Sequence, residues 1–213
     1  KTGKTNKAII DKLKKRAFVQ ILDPATGTGT FLIRTITQIH DEVQKKHKRD
    51  NIQTSWLEYW NNYVEAKLFP RLYGFELMMA SYSVAHMRIG MHLKSLGYEF
   101  KKGQRLNVYL TNTLESPDEM GSADLFFSSI GGESEAAKLV KRDRFFSVVI
   151  GNPPYSGVSS NNGKWICSLI EDYKYIDKEH FNERKHWLND DYVKFLRFAQ
   201  SQIAKTGNGL ICF

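Results

Sequence analysis

The chain has 213 residues, 41% hydrophobic and 25% charged, which fits one folded domain and argues against disorder. It carries 31 Lys and Arg against 23 Asp and Glu, a formal net charge of +8 that favours a polyanionic partner, nucleic acid before acidic lipid. Two cysteines, Cys167 and Cys212, exclude a disulfide scaffold, and six histidines without HxxxH spacing give no local zinc site, so no metal is expected. No apolar run approaches the roughly 18–20 residues of a membrane span, and the basic N-terminus lacks the apolar centre of a signal peptide. Neither a membrane nor secretion is therefore expected, and the reducing cytoplasm is the expected compartment. The first residue is not Met, which suggests a cut from a longer chain.

Asn6 to Arg16 reads as a basic amphipathic helix with Ile9, Ile10 and Leu13 on one side. Phe18 to Leu22 is a short apolar run suited to a buried strand. It leads into a Gly-rich turn, Asp23 to Phe31, and then a helix with Leu32, Ile36, Ile39 and Val43 at helical spacing, running to Asp50. Asn51 to Phe69 holds Trp56, Tyr59, Trp60 and Tyr63 and is predicted to be a further helix, its aromatic residues packing against a neighbouring helix or domain. Arg71 to Glu76 is a second strand ending in an acid, Leu77 to Leu96 a helix, and Leu106 to Leu110 a third strand.

Glu115 to Gly132 carries the Pro, Gly and Ser of a surface excursion. Arg144 to Ile150 is a fourth strand leading into Gly151-Asn152-Pro153-Pro154-Tyr155. Residues 156–189 read as a polar loop or lid with embedded helical turns, Asp191 to Ala204 as a helix, and Gly209 to Phe213 as the start of a fifth strand. Strands alternating with helices predict a doubly wound, mostly parallel α/β sheet. Stopping there, the sheet is expected to expose an edge.

Three signals fall at the carboxyl ends of these strands, where ligands of such sheets lie. The first is Asp23 to Phe31, a strand, a Gly-x-Gly turn and a helix start. The glycines let the backbone approach a ligand and the helix start offers free N–H groups. Leu32 stands where a dinucleotide fingerprint has its third glycine, and a Walker loop is absent. The second is Glu76, able to accept hydrogen bonds from two ribose hydroxyls or to serve as a helix-capping acid. The third is Asn152 to Tyr155. Two prolines stiffen the turn and fix two acceptors, the Asn152 side-chain oxygen and the Pro153 carbonyl, which can hold an –NH2 group, while Tyr155 offers a stacking face.

DPATGTGTF followed by NPPY resembles S-adenosylmethionine-dependent amino-methyltransferases of the DNA adenine-N6 kind. About forty residues separate the third strand from NPPY, too few for a target-recognition domain, an order similar to the gamma class. The stretches YGFELMMASYSVAHMRI, VYLTNTLESP and ERKHWLNDDYVKFLRFAQ resemble the single-chain Type ISP and Type IIG restriction–modification enzymes. The resemblance covers nearly all of residues 18–213. It implies a Rossmann-like methyltransferase core over 1–213, truncated after about the fifth strand, in a bacterial cytoplasmic enzyme. It also implies S-adenosylmethionine as cofactor, double-stranded DNA as partner, and recognition, nuclease and helicase-like regions in the same parent chain.

By the same resemblance, Asp23, Pro24, Ala25, Thr26, Gly27, Gly29 and Phe31 form the cofactor turn. Glu76 takes the ribose hydroxyls, and Leu77 lies near the cofactor adenine. The acid usual after the third strand is missing, so Asn112 or Thr113 is expected to stand in. Asn152, Pro153, Pro154 and Tyr155 are implied as catalytic, Asn152 also bordering the cofactor. Ser147 replaces an Asp frequent in the family. Lys164, Trp165 and Lys174, after NPPY, are the expected nucleic-acid contacts, ahead of the basic runs Lys12 to Arg16 and Lys45 to Arg49. Two alternatives remain at this point. One is methylation of a protein glutamine or an RNA guanine amino group. The other is a catalytically silent binding fragment serving as a structural hub.

Overall fold

The structure, a computed structural model, describes residues 19–116, 133–157, 159–177, 179–180 and 186–213. The helix expected at Asn6 to Arg16, its basic run, and nearly all of the excursion from Glu115 to Gly132 lie outside them. All five expected strands form one parallel sheet: β1 (Ile21–Asp23), β2 (Leu72–Glu76), β3 (Val108–Leu110), β4 (Val148–Ile150) and, after a small hairpin, β7 (Leu210–Cys212). Their order is β3-β2-β1-β4-β7. Asp23 pairs with Gly74, Glu76 with Leu110 and Ile150 with Cys212, so the carboxyl ends of the strands come out along one edge. Chain order reverses between β1 and β4, which is where a doubly wound sheet opens a crevice.

Helices cover both faces. On one lie α1 (Thr30–Arg49), α2 (Trp56–Tyr63) and α3 (Met79–Ser95). Leu32 and Ile36 of α1, Trp60 of α2, and Ala85, Ile89 and Leu93 of α3 form a buried cluster with Val108. Basic residues Lys46, His47, Lys48 and Arg49 close α1, where they complement the helix dipole. The aromatic stretch packs as expected against a helix: Trp56 stacks on Trp60 at 5.9 Å, and His40 of α1 meets Trp60 edge-on at 4.9 Å. It is shorter than the sequence suggests. Ser55 caps α2 by accepting the Glu58 N–H at 3.3 Å, and after Tyr63 the helix widens and then tightens into a 3₁₀ turn containing Pro70.

The other face carries α4 (Glu133–Asp143), α5 (Lys164–Glu171) and α6 (Asp191–Thr206). Ala137, Val140, Ile166, Phe195, Phe198 and Ala199 pack there on Leu22, Tyr73, Phe75 and Val149. α4 was not expected from the sequence. Within 156–189 the chain forms α5, a 3₁₀ turn (Asp172–Lys174) and the hairpin β5 (Tyr175–Ile176) and β6 (Glu179–His180). β7 is the outer strand beside β4, and Leu210 on it is 65% exposed. No helix among the described residues is long and apolar enough to cross a membrane.

Candidate active site

The turn after β1 is tied to β2 by hydrogen bonds. The Thr26 N–H donates to the Phe75 carbonyl at 2.9 Å, and the Thr26 hydroxyl to the Asp23 carbonyl at 3.2 Å. Gly27 and Gly29 have φ of 54° and 85°, left-handed values that disfavour a side chain. At Gly27 a β-carbon would meet nothing within 4 Å, so the backbone there faces open space. At Gly29 it would lie 3.1 Å from Ile89 Cδ1, so the glycine also lets the turn settle on α3.

Glu76 holds this turn in place. Its Oε2 accepts the Gly27 N–H at 2.7 Å and its Oε1 accepts the Met78 N–H at 2.8 Å. A carboxylate oxygen has two lone-pair sites, so each keeps one for a further donor. Leu77 beside it is exposed, as is Phe31 at the start of α1. From α3, Arg88 Nη1 donates to the Thr28 carbonyl at 2.8 Å and to its hydroxyl at 2.5 Å, bracing the outer rim of the turn.

Asp23 is fully buried beneath the turn. Its Oδ1 accepts the Ala25 N–H at 3.2 Å, while Oδ2 has no hydrogen-bond partner among the described residues. Burial pushes its pKa up from 3.8 to about 7; the Ala25 N–H works against this and the nearby Glu76 charge adds to it. Gly151 packs closely against it: a β-carbon there would sit 2.8 Å from Asp23 Oδ1 and 3.3 Å from Pro24 Cδ.

Past Gly151 the chain leaves the sheet. The Gly151 N–H makes a last ladder bond to the Cys212 carbonyl at 3.1 Å, and the two prolines cannot extend the ladder. Pro153 is buried and anchors the turn, whereas Asn152, Pro154 and Tyr155 are exposed. Among the described residues no hydrogen bond engages the Asn152 side chain. The Tyr155 ring is 74% exposed and lies against Tyr192 of α6, with ring centres 4.8 Å apart and planes at 11°.

The end of β3 approaches the same edge, but its side chains are engaged. Thr113 is buried and donates to the Pro24 carbonyl at 2.5 Å. Asn112 Oδ1 accepts the Leu114 N–H at 3.0 Å, and its Nδ2 donates to Asn161 at 2.9 Å. Of the three residues expected to meet nucleic acid, Lys164 is exposed at the start of α5. Trp165 is half-buried against Phe198, and Lys174 pairs with Glu171 at 2.7 Å. The structure thus gathers the Asp23 turn, Glu76, Leu77 and Asn152 to Tyr155 at one sheet edge, and turns Trp165 toward the core.

A family model described as N-6 DNA Methylase matches residues 4–213. The chain belongs to the N-6 DNA methylase family. Among solved structures it is similar to a nuclease-deletion mutant of the Type ISP restriction-modification enzyme LlaGI in complex with a DNA substrate mimic. Identity there is 25% and the TM-score 0.67, over 95% of this chain and 16% of that one. It is also similar to the ATP-dependent Type ISP restriction-modification enzyme LlaBIII bound to DNA, with 24% identity and a TM-score of 0.65, over 92% of this chain and 13% of that one. At that identity the likeness is one of fold. A DrdV–DNA complex matches at 25% identity and a TM-score of 0.59, over 93% of this chain and 18% of that one. The chain therefore spans less than a fifth of these chains. No curated protein matches it by sequence.

A family of this kind implies S-adenosylmethionine as methyl donor, and the residues present fit it. The cofactor carries a cationic amino group, a ribose diol and a sulfonium. The site offers a buried acid with a bare oxygen, a second acid with two spare lone pairs, and an open glycine backbone. Three neighbours of the site were missed in the sequence: Gly151, whose lack of a side chain admits Asp23, Arg88 and Tyr192. A glycine ahead of NPPY and an aromatic at the start of α6 were visible as residues, but nothing local says what they touch.

Proposed function

We propose that this chain is the catalytic core of a DNA adenine-N6 methyltransferase belonging to a restriction–modification enzyme. The observation that supports it most is the pairing across the crevice between β1 and β4. On one side is the bare glycine turn held by Glu76, and on the other, on a proline-stiffened turn, stand Asn152, whose side chain makes no hydrogen bond among the described residues, and the exposed outer face of Tyr155.

Asp23, Glu76 and the turn from Pro24 to Gly29 would hold S-adenosylmethionine, with Leu77 and Phe31 at its rim. When bound, it supplies an electrophilic sulfonium methyl group for direct displacement, without a covalent enzyme intermediate. The chain's own groups deal with the other reactant. An adenine inside a duplex is out of reach, so it is turned out at a cost of a few kcal/mol. Tyr155 stacks on it. Asn152 Oδ1 and the Pro153 carbonyl accept hydrogen bonds from the two N6 hydrogens, which draws the nitrogen lone pair away from the ring. N6 then takes the methyl group, leaving the sulfur as a neutral thioether, and the methylated nitrogen sheds one proton to solvent. Catalysis on this reading is positioning and electrostatics. Double-stranded DNA is the substrate, and recognition, nuclease and motor functions belong to other parts of the polypeptide; that similar solved enzymes include a nuclease-deletion mutant and an ATP-dependent Type ISP enzyme supports the last two.

The test is calorimetric titration with S-adenosylmethionine of the polypeptide its gene encodes, alongside Glu76→Ala, followed by transfer of labelled methyl groups to genomic DNA from a methylation-deficient host. Saturable binding lost in Glu76→Ala, and N6-methyladenine in the DNA, are expected. Methyl groups recovered on protein or RNA would move the reading to the glutamine or guanine alternative. Absence of cofactor binding by the folded protein would overturn it.

A further inference from the structure

Asp190 to Phe195 opens α6 beside Tyr155, and its side chains reach back into the loop after NPPY. Asp190 Oδ1 accepts two backbone N–H groups: that of Tyr192, at 2.7 Å, and that of Ser156, at 3.4 Å. One carboxylate oxygen thus grips Tyr192 itself and the residue next to Tyr155. The two rings it aligns lie nearly parallel, 4.8 Å apart. Behind Tyr192 stands Phe213, its ring 6.3 Å away.

The start of α6 is itself held by buried polar contacts. Lys194 is 1% exposed and donates to Ser159 Oγ at 2.8 Å and to the Asn161 carbonyl at 2.5 Å. Ser159 Oγ in turn donates to Asp191 Oδ1 at 2.5 Å, which also accepts from Asn161 Nδ2 at 2.9 Å. Moving α6 relative to this loop would strand buried polar groups, which is costly. Tyr192 is therefore a fixed wall, while Tyr155 is 74% exposed with little else to hold its ring.

We propose that Tyr192 is a positioning residue for base stacking. It backs the Tyr155 ring, so that the outer face of Tyr155 stands ready for the target base, and Asp190 sets the register between the two rings. This rests on the function proposed above. A surface tyrosine without a backing ring must be ordered by its ligand, and that ordering subtracts from the stacking energy. A ring already held loses less on binding. The opposite arrangement, in which Tyr192 occupies the place of the base, makes the opposite forecast for its removal.

The experiment uses the polypeptide its gene encodes, with labelled S-adenosylmethionine and genomic DNA from a methylation-deficient host. Tyr192→Leu and Tyr192→Met are expected to slow methyl transfer about tenfold at saturating cofactor, within the range stacking supports. Cofactor affinity, read by calorimetry, stays unchanged in both. Tyr192→Phe restores the rate, because the ring and not the hydroxyl carries the role. In a Tyr155→Leu background, Tyr192→Leu adds no further loss, as two members of one unit should behave. The near-ultraviolet circular dichroism of the stacked rings disappears in either single leucine variant.

Unchanged or faster transfer in Tyr192→Leu, or losses that add in the double variant, would overturn the inference and leave the proposed function standing. A wild-type protein that binds no cofactor and transfers no methyl group would remove the reading on which it rests.

Discussion

Gly151 and Asp23 stand so close that a β-carbon on Gly151 would lie 2.8 Å from Asp23 Oδ1. This contact joins the two halves of the site, the glycine turn after β1 and the NPPY turn after β4. It lies at the point where the order of the sheet reverses.

Gly151→Ala tests that junction. Asp23 is fully buried and cannot swing away, and Pro24 Cδ would be 3.3 Å from the new methyl group. The strands must part instead. We expect a loss of about 1–3 kcal/mol in stability, the usual cost of overpacking a close-packed site. We also expect weaker cofactor binding, because the Asp23 turn shifts with it. Thermal melting and calorimetric titration measure the two effects, and a variant as stable as the parent would show that the junction yields easily.

Asp23 makes the ligand-free protein sensitive to pH. Burial raises its pKa to about 7 in the fold, against 3.8 for an unperturbed aspartate. Between about 4 and 7 the folded state keeps a proton that the unfolded chain has released, so stability from this group falls as pH rises through that window. Above about 7 the penalty is complete. Asp23→Asn removes the charge, so its melting temperature is expected to exceed that of the parent at pH 8 and to approach it at pH 5. A cationic ligand group beside Oδ2 would reverse the shift. Cofactor binding near pH 6 is then accompanied by proton release, which titration in buffers of different ionisation enthalpy detects. Equal slopes in parent and variant would remove Asp23 as the cause.

Much of the site was legible because strand ends mark themselves. The apolar runs stop at Asp23, Glu76 and Gly151, and in a parallel sheet those stops share one edge. The Gly-x-Gly turn and the two prolines are local features whose backbone consequences follow from residue type. The rest depends on which surfaces meet. Tyr192 reaches Tyr155 across 36 intervening residues, and only the packed start of α6 reveals it. Trp165 was expected near substrate because of its place in the chain, but the phase of α5 against α6 turns it onto Phe198. α4 was missed since its apolar residues are few and set among charges, and one of those charges is buried: Lys141 donates to the Asn112 carbonyl at 2.5 Å.

Asp191, buried at the start of α6, is expected to matter strongly for stability. Its Oδ1 receives Ser159 and Asn161, and the same Ser159 hydroxyl receives the buried Lys194. Asp191→Ala leaves that ammonium group buried without the acid that polarises its partner. Removing one member of a buried charged network costs about 3–5 kcal/mol. Replacing both, as Asp191→Leu with Lys194→Met, should recover part of the loss, since no stranded charge remains. Chemical denaturation of the two variants gives the comparison, and a double variant no better than the single would place the cost in packing alone.

Asn152 is the contrasting case. It is exposed, and no hydrogen bond among the described residues depends on its side chain, so nothing in the fold should suffer from its loss. If it accepts a hydrogen bond from the reacting amino group, Asn152→Ala removes a partner felt most in the transition state. Transfer should then slow by about 10²–10³, the cost of one lost donor or acceptor at a preorganised site. Asn152→Asp is informative beside it. The carboxylate keeps an acceptor oxygen where the amide oxygen stood, so it can still accept a hydrogen bond from N6, and it should retain more activity than alanine. Single-turnover transfer to unmethylated DNA, with melting temperatures alongside, separates the outcomes. Melting temperatures equal to the parent's, with a slow alanine and an intermediate aspartate, assign the residue to chemistry. An alanine variant as fast as the parent would leave Tyr155 and the Pro153 carbonyl as the groups that hold the base, and the amino group would need no side-chain acceptor to react.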